Sequence, residues 1–275
     1  MPNVFIGNQT AFSAASAREP FDYALANGFD AFEWFPDKKI SGAGWDEQDL
    51  PPAARAEIRR TAQSKGIRLS VHGRWDADPL EPRALTLLLK DIDLAQELGA
   101  ELFNIHLYPE RGLDVYLRAI EPLLRRTAAA GLQLSIENSP HNVPDHFIQF
   151  FKLLRESGLP GAHAGMCFDI GHANLCAGTR NDYLKYFLAL GASIPIIHLH
   201  LHENWGDADS HLPLFTGPAG KDEAGLKNFI SAIQARKYSG SMILEGWPQP
   251  PTLLNQAREK LLQLIGEGAA KTALC

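Results

Sequence analysis

The sequence predicts a single (β/α)8 barrel spanning residues 1–275, and three observations carry that expectation. Short apolar runs alternate with helix-like segments eight times, most of those segments stop at a glycine, and no linker or change of composition divides the chain. Parallel strands need a crossover between them, usually a helix, so the alternation indicates βα units. Eight such units in one chain favour a closed barrel over an open sheet.

The first strand is expected at Asn3 to Gly7, followed by a helix over Phe21 to Asn27 that Gly28 ends. Phe29 to Trp34 is the second strand. Asp37 to Asp49, rich in Gly, Lys and Asp, reads as a loop, and Pro51-Pro52 opens a helix that stops at Gly66. Ile67 to His72 is the third strand. A helix from Glu81-Pro82 to Leu98, closed by Gly99, leads to the fourth at Glu101 to His106. Leu113 to Ala130 reads as one helix before the fifth strand, Leu132 to Glu137. Pro144 to Ser157 is the helix before the sixth, Ala164 to Asp169. Residues 179 to 190 precede the seventh strand at Pro195 to His200, and Glu223 to Lys237 the eighth at Ser241 to Glu245. Residues 251 to 265 close the barrel, and the last ten residues are expected to fray.

Bulk composition narrows the function. Hydrophobic residues at 45% supply a substantial core, and a formal charge of −6 argues against a broadly basic nucleic-acid surface. Cys167, Cys176 and Cys275 form no CxxC pair and no disulfide framework, which points to a reduced, cytoplasmic setting. No run approaches the roughly 18 apolar residues of a membrane span, and the N-terminus enters a strand pattern without a basic leader.

Chemistry concentrates in His198 to His211, where four of the ten histidines and three acids fall within fourteen residues beside the apolar run Ile194 to Ile197. Side chains alternate along a strand, so His198, His200 and His202 are expected on one face. One such histidine is an ordinary hydrogen-bonded residue; three, followed by Asp209-Ser-His211, fit a metal site. The pattern continues round the expected barrel. Glu33, His72, His106, Glu137, Asp169 with His172, His200 with Asp209 and His211, and Glu245 all end or follow a strand. In a barrel those ends converge on one mouth, where barrel enzymes keep their active sites. Several carboxylates in one concavity repel unless a cation neutralises them.

Ser-Ile-Glu137-Asn, Cys-Phe-Asp169-Ile-Gly-His172, His200-Leu-His-Glu, Asp209-Ser-His211-Leu-Pro-Leu and Ile-Leu-Glu245 resemble the signature segments of the xylose isomerase-like TIM barrels. The resemblance runs from His72 to Glu245. That superfamily includes sugar and sugar-phosphate isomerases and epimerases as well as endonuclease IV. Its isomerase and epimerase branch implies one divalent metal on Glu137, Asp169, His200 and Glu245. There Glu137 and Glu245 would be the catalytic acid/base pair, moving a proton next to the carbonyl of a small sugar, sugar phosphate or related ketone, with His172 on a substrate hydroxyl. A metal on the carbonyl and hydroxyl oxygens stabilises the enediolate charge that develops. The endonuclease IV branch implies three zinc ions on His72, His106, Glu137, Asp169, His172, His200, Asp209, His211 and Glu245, all present in type and order. Such a cluster suits phosphodiester hydrolysis. The expected cofactor is therefore a divalent metal ion, Zn, Mn, Co or Mg, at one to three per chain.

Features outside that set favour the sugar branch. Trp34, Phe35, Trp75, Trp205 and Trp247 follow strands among many acids, with Arg74, Lys38 and Lys39 as the few cations. A surface that grips DNA needs Arg and Lys, whereas aromatic walls stack on a sugar's apolar face or pack as an ordinary rim. Phe32-Glu33-Trp34-Phe35-Pro36 resembles the sugar-enzyme branch, and Glu33 is either a ligand for a substrate hydroxyl or an ion-pair partner. Arg74-Trp75 keeps a DNA-inserting role open. Gly217-Pro-Ala-Gly-Lys221 lacks P-loop spacing and reads as a turn, with Lys221 a candidate for a substrate phosphate. The substrate-binding candidates are thus Glu33, Trp34, Arg74, Trp75, His172, Trp205, Trp247 and Lys221. His141, His146 and His163 fall away from strand ends and read as surface or locally bonded residues, and Cys167 as a small core filler. The leading expectation is a metal-dependent isomerase or epimerase with a small sugar or sugar-phosphate substrate; the alternative is a multi-zinc phosphodiesterase.

Overall fold

The computed structural model describes residues 4–10, 13–36, 38–39 and 41–272. Asn3, Asp37 and Cys275, which figure in the expectations above, lie outside the described residues. Eight strands close on themselves in sequence order: β1 (Phe5–Gln9), β2 (Ala31–Trp34), β3 (Arg68–His72), β4 (Leu102–His106), β5 (Gln133–Glu137), β6 (Ala164–Asp169), β7 (Ile196–Leu201) and β8 (Ser241–Leu244). All neighbouring pairs are parallel, and β8 returns to β1 through Phe5 opposite Ser241. The expected (β/α)8 barrel is the observed one.

Helices cover the outside because each carries an apolar stripe at helical spacing. The helix Pro82–Leu98 buries Leu88, Ile92, Ala95 and Leu98, and Pro144–Glu156 buries Phe147, Phe150, Phe151 and Leu154. Each large side chain of this kind contributes about 1.5–3 kcal/mol when buried. Gly99 at φ 76° and Gly131 at φ 71° end their helices in the left-handed region, which a side chain would disfavour.

Several segments differ from expectation, among them the stretch read as a turn after Gly217, where Pro218–Lys221 forms one turn of helix. Leu113 to Ala130 is two helices, Leu113–Ala119 and Glu121–Ala130. Pro122 lacks an N–H and its ring would clash with the carbonyl four residues back, so a new helix starts there. After β6 the chain turns at once into a short helix, Ile170–Leu175, with the Asp169 carboxylate accepting from the His172 N–H at 2.6 Å. Within residues 179–190, which precede β7, the helix covers only Tyr183–Ala189, capped by Asp182. The closing helix extends to Thr272, well past residue 265. Among the described residues no helix is long and apolar enough to cross a membrane.

The barrel interior is polar immediately beneath the mouth. Ser70, Asn104, Ser135 and His198 each precede a strand-end residue by two, so alternation turns them to the same inner face. With Glu33 they are buried. Ser135 Oγ donates to Asn104 Oδ1 at 2.6 Å and Ser70 Oγ to Glu33 Oε2 at 2.8 Å. A barrel usually fills this level with branched apolar residues. Here hydrogen bonding offsets the cost of burying polar groups.

Candidate metal centre

Strand register delivers the ligand residues to one level. His106 stands opposite Glu137, Glu137 opposite Cys167, and Asp169 opposite His200. His72, His106 and Glu137 bring ligand atoms within 4.8 Å of one another, and so do Glu137, Asp169, His200 and Glu245. Glu137 belongs to both groups. Its Oε2 lies 3.0 Å from His72 Nε2 and accepts from Asn104 Nδ2. Its Oε1 lies 3.2 Å from His200 Nδ1, 3.3 Å from His172 Nδ1 and 3.5 Å from His106 Nε2.

His172, His202, Asp209 and His211 form a third group. Asp209 Oδ2 lies 3.2 Å from His172 Nε2 and 3.3 Å from His211 Nε2. Asn138 aims His172, whose Nδ1 meets the Asn138 carbonyl at 2.7 Å, while the Asn138 amide bonds the backbone N–H and carbonyl of Asp169 at 2.9 Å each. The loop carrying Asp209 and His211 is closed by a backbone pair between Glu203 and Leu212, at 2.8 and 2.9 Å. Within it His211 adopts φ 45°, a left-handed conformation that costs a non-glycine residue about 1–2 kcal/mol.

A second carboxylate supports the first from below. Glu33 Oε1 sits 2.8 Å from His200 Nε2, and Oε2 sits 2.8 Å from His198 Nε2. His200 thus turns one nitrogen to Glu33 and the other to the Glu137 group, the arrangement by which a carboxylate fixes the ring of a metal-binding histidine. Cys167, His198 and His200 also approach within ligand reach, but Glu33 engages both imidazoles.

Burial raises a carboxyl pKa, yet His200 and His106 outweigh it and hold Glu137 well below the usual carboxylate range. Asp169 is lowered against burial by His172 and His202, and Asp209 by His172 and His211. Burial lowers an imidazole pKa, but Asp169, Asp209 and Glu137 lift His172 well above its ordinary value, and Glu245 and Asp209 lift His211 to about 9. Protons on the imidazoles therefore neutralise the acids when no other cation does.

The atoms left over test whether a metal fits. Glu137 Oε1, Asp169 Oδ2, His200 Nδ1, Glu245 Oε2 and both ring nitrogens of His202 are buried without a hydrogen-bond partner. Such groups are costly, and while others, such as Trp34 Nε1 and the Asp91 carboxylate, are scattered through the molecule, these six atoms are gathered in the ligand groups. Carboxylate oxygens and imidazole nitrogens at this spacing suit zinc and its neighbours. The residues fit divalent metal ions.

The mouth opens into a cleft of about 720 Å³, within the range of roughly 300–1,000 Å³ found for small-molecule sites. His72, His106, His172, Asp209, His211 and Glu245 line it, whereas Glu137, Asp169 and His200 lie beneath. Phe35, Trp75, Tyr108 and Trp247 form apolar walls, with Asp76, Glu110 and Lys39 among the charged lining residues. Trp75 is 50% exposed, with Lys39 Nζ 4.8 Å from its ring centre, and Trp247 meets Tyr23 edge-on at 5.4 Å.

Five residues expected to touch substrate fall elsewhere. Glu33 is buried below the ligand groups, with its oxygens 2.8 Å from His198 Nε2 and His200 Nε2. Trp34 is buried with Phe21, Phe32 and Trp45, because its position on β2 faces the helices rather than the mouth. Arg74 is claimed by Glu47 at 3.3 Å and Asp91 at 3.7 Å. Trp205 and Lys221 stack on each other at 4.5 Å, outside the lining of the cleft. In the opposite direction, His141 is exposed as expected but also lines the cleft. His146 and His163 bond locally, to the Val143 N–H and to Thr127 Oγ1. Asn104 and Asn138 did not stand out in the sequence, whereas His202 was read with His198 and His200 as part of a metal-site pattern but was not placed among the individual ligands. For Asn104 the signal is its place two residues before His106.

Comparison with known proteins agrees with this architecture. The family model described as xylose isomerase-like TIM barrel matches residues 21–264. The uncharacterized protein MJ1311 of Methanocaldococcus jannaschii is 27% identical over 206 residues, 72% of this chain and 61% of that protein. The chain thus spans less than two thirds of that relative's length. A D-tagatose 3-epimerase-like protein superposes with a TM-score of 0.73 at 20% identity, covering 96% of this chain and 99% of the other. The TTHB071 protein from Thermus thermophilus, determined after soaking with ZnCl2, gives 0.65 at 25% identity, covering 96% and 98%. With the family match extending over most of a closed eight-stranded barrel, the chain belongs to the xylose isomerase-like TIM barrel family.

Proposed function

We propose that the chain is a metal-dependent phosphoester hydrolase acting on a small substrate, in which Glu137 would serve both the group of His72 and His106 and the group of Asp169, His200 and Glu245. The observation that carries this reading is the enclosure of Glu137, whose two oxygens face different imidazoles while the side chain stays out of the cleft. A carboxylate that exchanges a proton with a substrate carbon must reach it. One whose oxygens point into two ligand groups is placed instead to bridge, as in two-metal hydrolases. The resemblance to endonuclease IV supports the same reading, since all nine of its implied ligand positions fall into the three groups round the mouth.

Divalent ions held there supply Lewis-acid charge to a phosphoryl group and lower the pKa of water. The chain's own residues do the rest. Glu245 lines the cleft and completes the group of Glu137, Asp169 and His200, so it would hold an ion at the edge that the substrate reaches. Trp75, Tyr108 and Trp247 pack against the organic part of the substrate and exclude water. Asp76 and Glu110 oppose a polyanion, which favours a single small phosphoester over a DNA backbone.

A sugar isomerase or epimerase is the second reading. One observation favours it: Glu137, Asp169, His200 and Glu245 form a complete four-ligand group by themselves, with Glu245 facing the cleft. The metal-loaded protein, offered bis(p-nitrophenyl) phosphate, sugar phosphates and an abasic-site duplex alongside ketoses in deuterated water, separates the two. Metal-dependent ester cleavage that is lost in Glu245→Gln supports the proposal. Deuterium incorporation into a ketose without any ester cleavage sinks it in favour of the isomerase. Preference for the duplex over small esters overturns the substrate class.

A further inference from the structure

We infer that His202 is a fourth ligand of the third group, so that His172, His202, Asp209 and His211 form a closed, structural metal site in the wall of the cleft. The inference rests on metal binding at the mouth, not on which reaction takes place there.

His202 follows β7 by one residue and shares the face of His200. Its side chain is buried, and its Nε2 lies 3.2 Å from Asp169 Oδ1, 3.7 Å from Glu245 Oε2 and 3.8 Å from Asp209 Oδ1. None of these approaches has hydrogen-bond alignment, and neither ring nitrogen has a partner. A protonated ring serving only to neutralise the acids would aim its N–H along one of those oxygens. A ring that points between them is placed to give its lone pair to a cation they share. The ring lies flat on His211, with centres 4.0 Å apart and planes 12° apart, and meets His172 edge-on at 5.6 Å; an imidazole lone pair lies in the ring plane, so joint coordination of one ion requires His211, on its loop, to turn out of this stack.

The backbone is built round this ring. A Cβ added to Gly171 would come within 2.0 Å of His202 Cε1 and 2.4 Å of both ring nitrogens. Gly171, just before His172, therefore has no side chain because the imidazole fills that volume. Asn204 fastens the arrangement, its Nδ2 donating to the Gly171 carbonyl at 2.9 Å.

Three protein ligands leave zinc an open position for water or substrate, and four complete a tetrahedron. The group of Glu137, Asp169, His200 and Glu245 also counts four, but it would share Glu137 with His72 and His106, whereas His172, His202, Asp209 and His211 share no ligand with another group. Closure by His202 assigns the third ion to holding the loop of Asp209 and His211, and leaves the chemistry to the groups that share Glu137.

The test uses the full chain and reads metal, not turnover, so it can succeed in a protein that hydrolyses nothing. Zinc content after dialysis and titration with a chromophoric chelator are compared for wild type and His202→Gln, together with visible spectra of the cobalt-loaded forms. The expected result is a folded variant in which one ion binds at least about 100-fold more weakly while the others are unchanged. The wild-type-minus-variant cobalt spectrum should show the intense band of a tetrahedral ion. An unchanged zinc complement and affinity overturns the inference, as does a weak difference band of higher coordination. If the glutamine variant does not fold, Gly171→Ala displaces the ring while leaving His202 in place, and unchanged affinity for every ion in that variant overturns the inference equally.

Discussion

The two sides of the metal centre are built in different ways. His72, His106, Glu137, Asp169 and His200 sit on strands, and a buried polar layer that includes Glu33, Asn104 and Ser135 supports them from below. Asp209 and His211 sit on a loop, with side chains 38% and 35% exposed, held by one backbone pair and by their own contacts with histidines and carboxylates. The strand side is set before an ion arrives. The loop side ends in a strained residue and is held in part by contacts among the groups that would bind an ion. Loss of the strand-borne ions should therefore remove the reaction, whereas loss of the loop-borne ion should loosen a wall of the cleft.

The largest expected effect breaks the strand side at its shared residue. Glu137→Gln removes charge from two groups at once, so elemental analysis should show two ions lost and ester hydrolysis should fall at least about 1,000-fold. Retention of both ions would mean that Glu137 is not shared. A second contrast between strand and loop comes from two tryptophans. Trp34→Ala, on β2 and buried, should cost about 3–5 kcal/mol in denaturant unfolding. Trp75→Ala, in the loop after β3 and half exposed, should stay within about 0.5 kcal/mol and act on KM. An unchanged stability for Trp34→Ala, with a raised KM, would return that residue to the rim. Smaller again is Glu33→Gln, which leaves the fold in place but weakens the orientation of His200. Affinity for the strand-borne ions should drop about 10–100-fold, and no change would make Glu33 a bystander.

The barrel, and the gathering of the candidate ligands at its strand ends, were legible because strands have a fixed period and their ends converge on one mouth. What was not legible turns on register and on distant partners. Glu33 and Trp34 are adjacent at the end of β2 and looked alike as strand-end residues. One faces inward to His198 and His200 and the other outward to Phe21 and Trp45, since a shift of one residue reverses the face. Arg74 looked free for substrate because the acids that claim it, Glu47 and Asp91, are remote in sequence. His202 shares the face of His200 by alternation, but it meets His211 only because the Glu203–Leu212 pair folds the loop back over it.

The smallest expected effect isolates the loop side by pH. In the metal-free chain Glu245 and Asp209 hold the His211 pKa at about 9 against the lowering effect of burial. A histidine raised in this way adds stability that is fully present below its unfolded pKa, about 6.5, and is lost as the pH rises through about 9. Solvent screens the exposed part of the ring, which limits this to about 1 kcal/mol, or about 2–4 °C in melting temperature. His172, raised by Asp169 and Asp209, acts in the same direction. A bound ion reverses the sign, because the ring must lose its proton to become a ligand, so binding strengthens over the same interval. Between pH 6.5 and 9 the chelator-treated protein should therefore melt lower, while the increase on adding zinc should grow. Asp209→Asn should flatten both slopes, since His211 and His172 lose the carboxylate they share. An increase on adding zinc that is the same at both pH values would mean that no proton is displaced from the loop side, and that the ion is held by the strands alone.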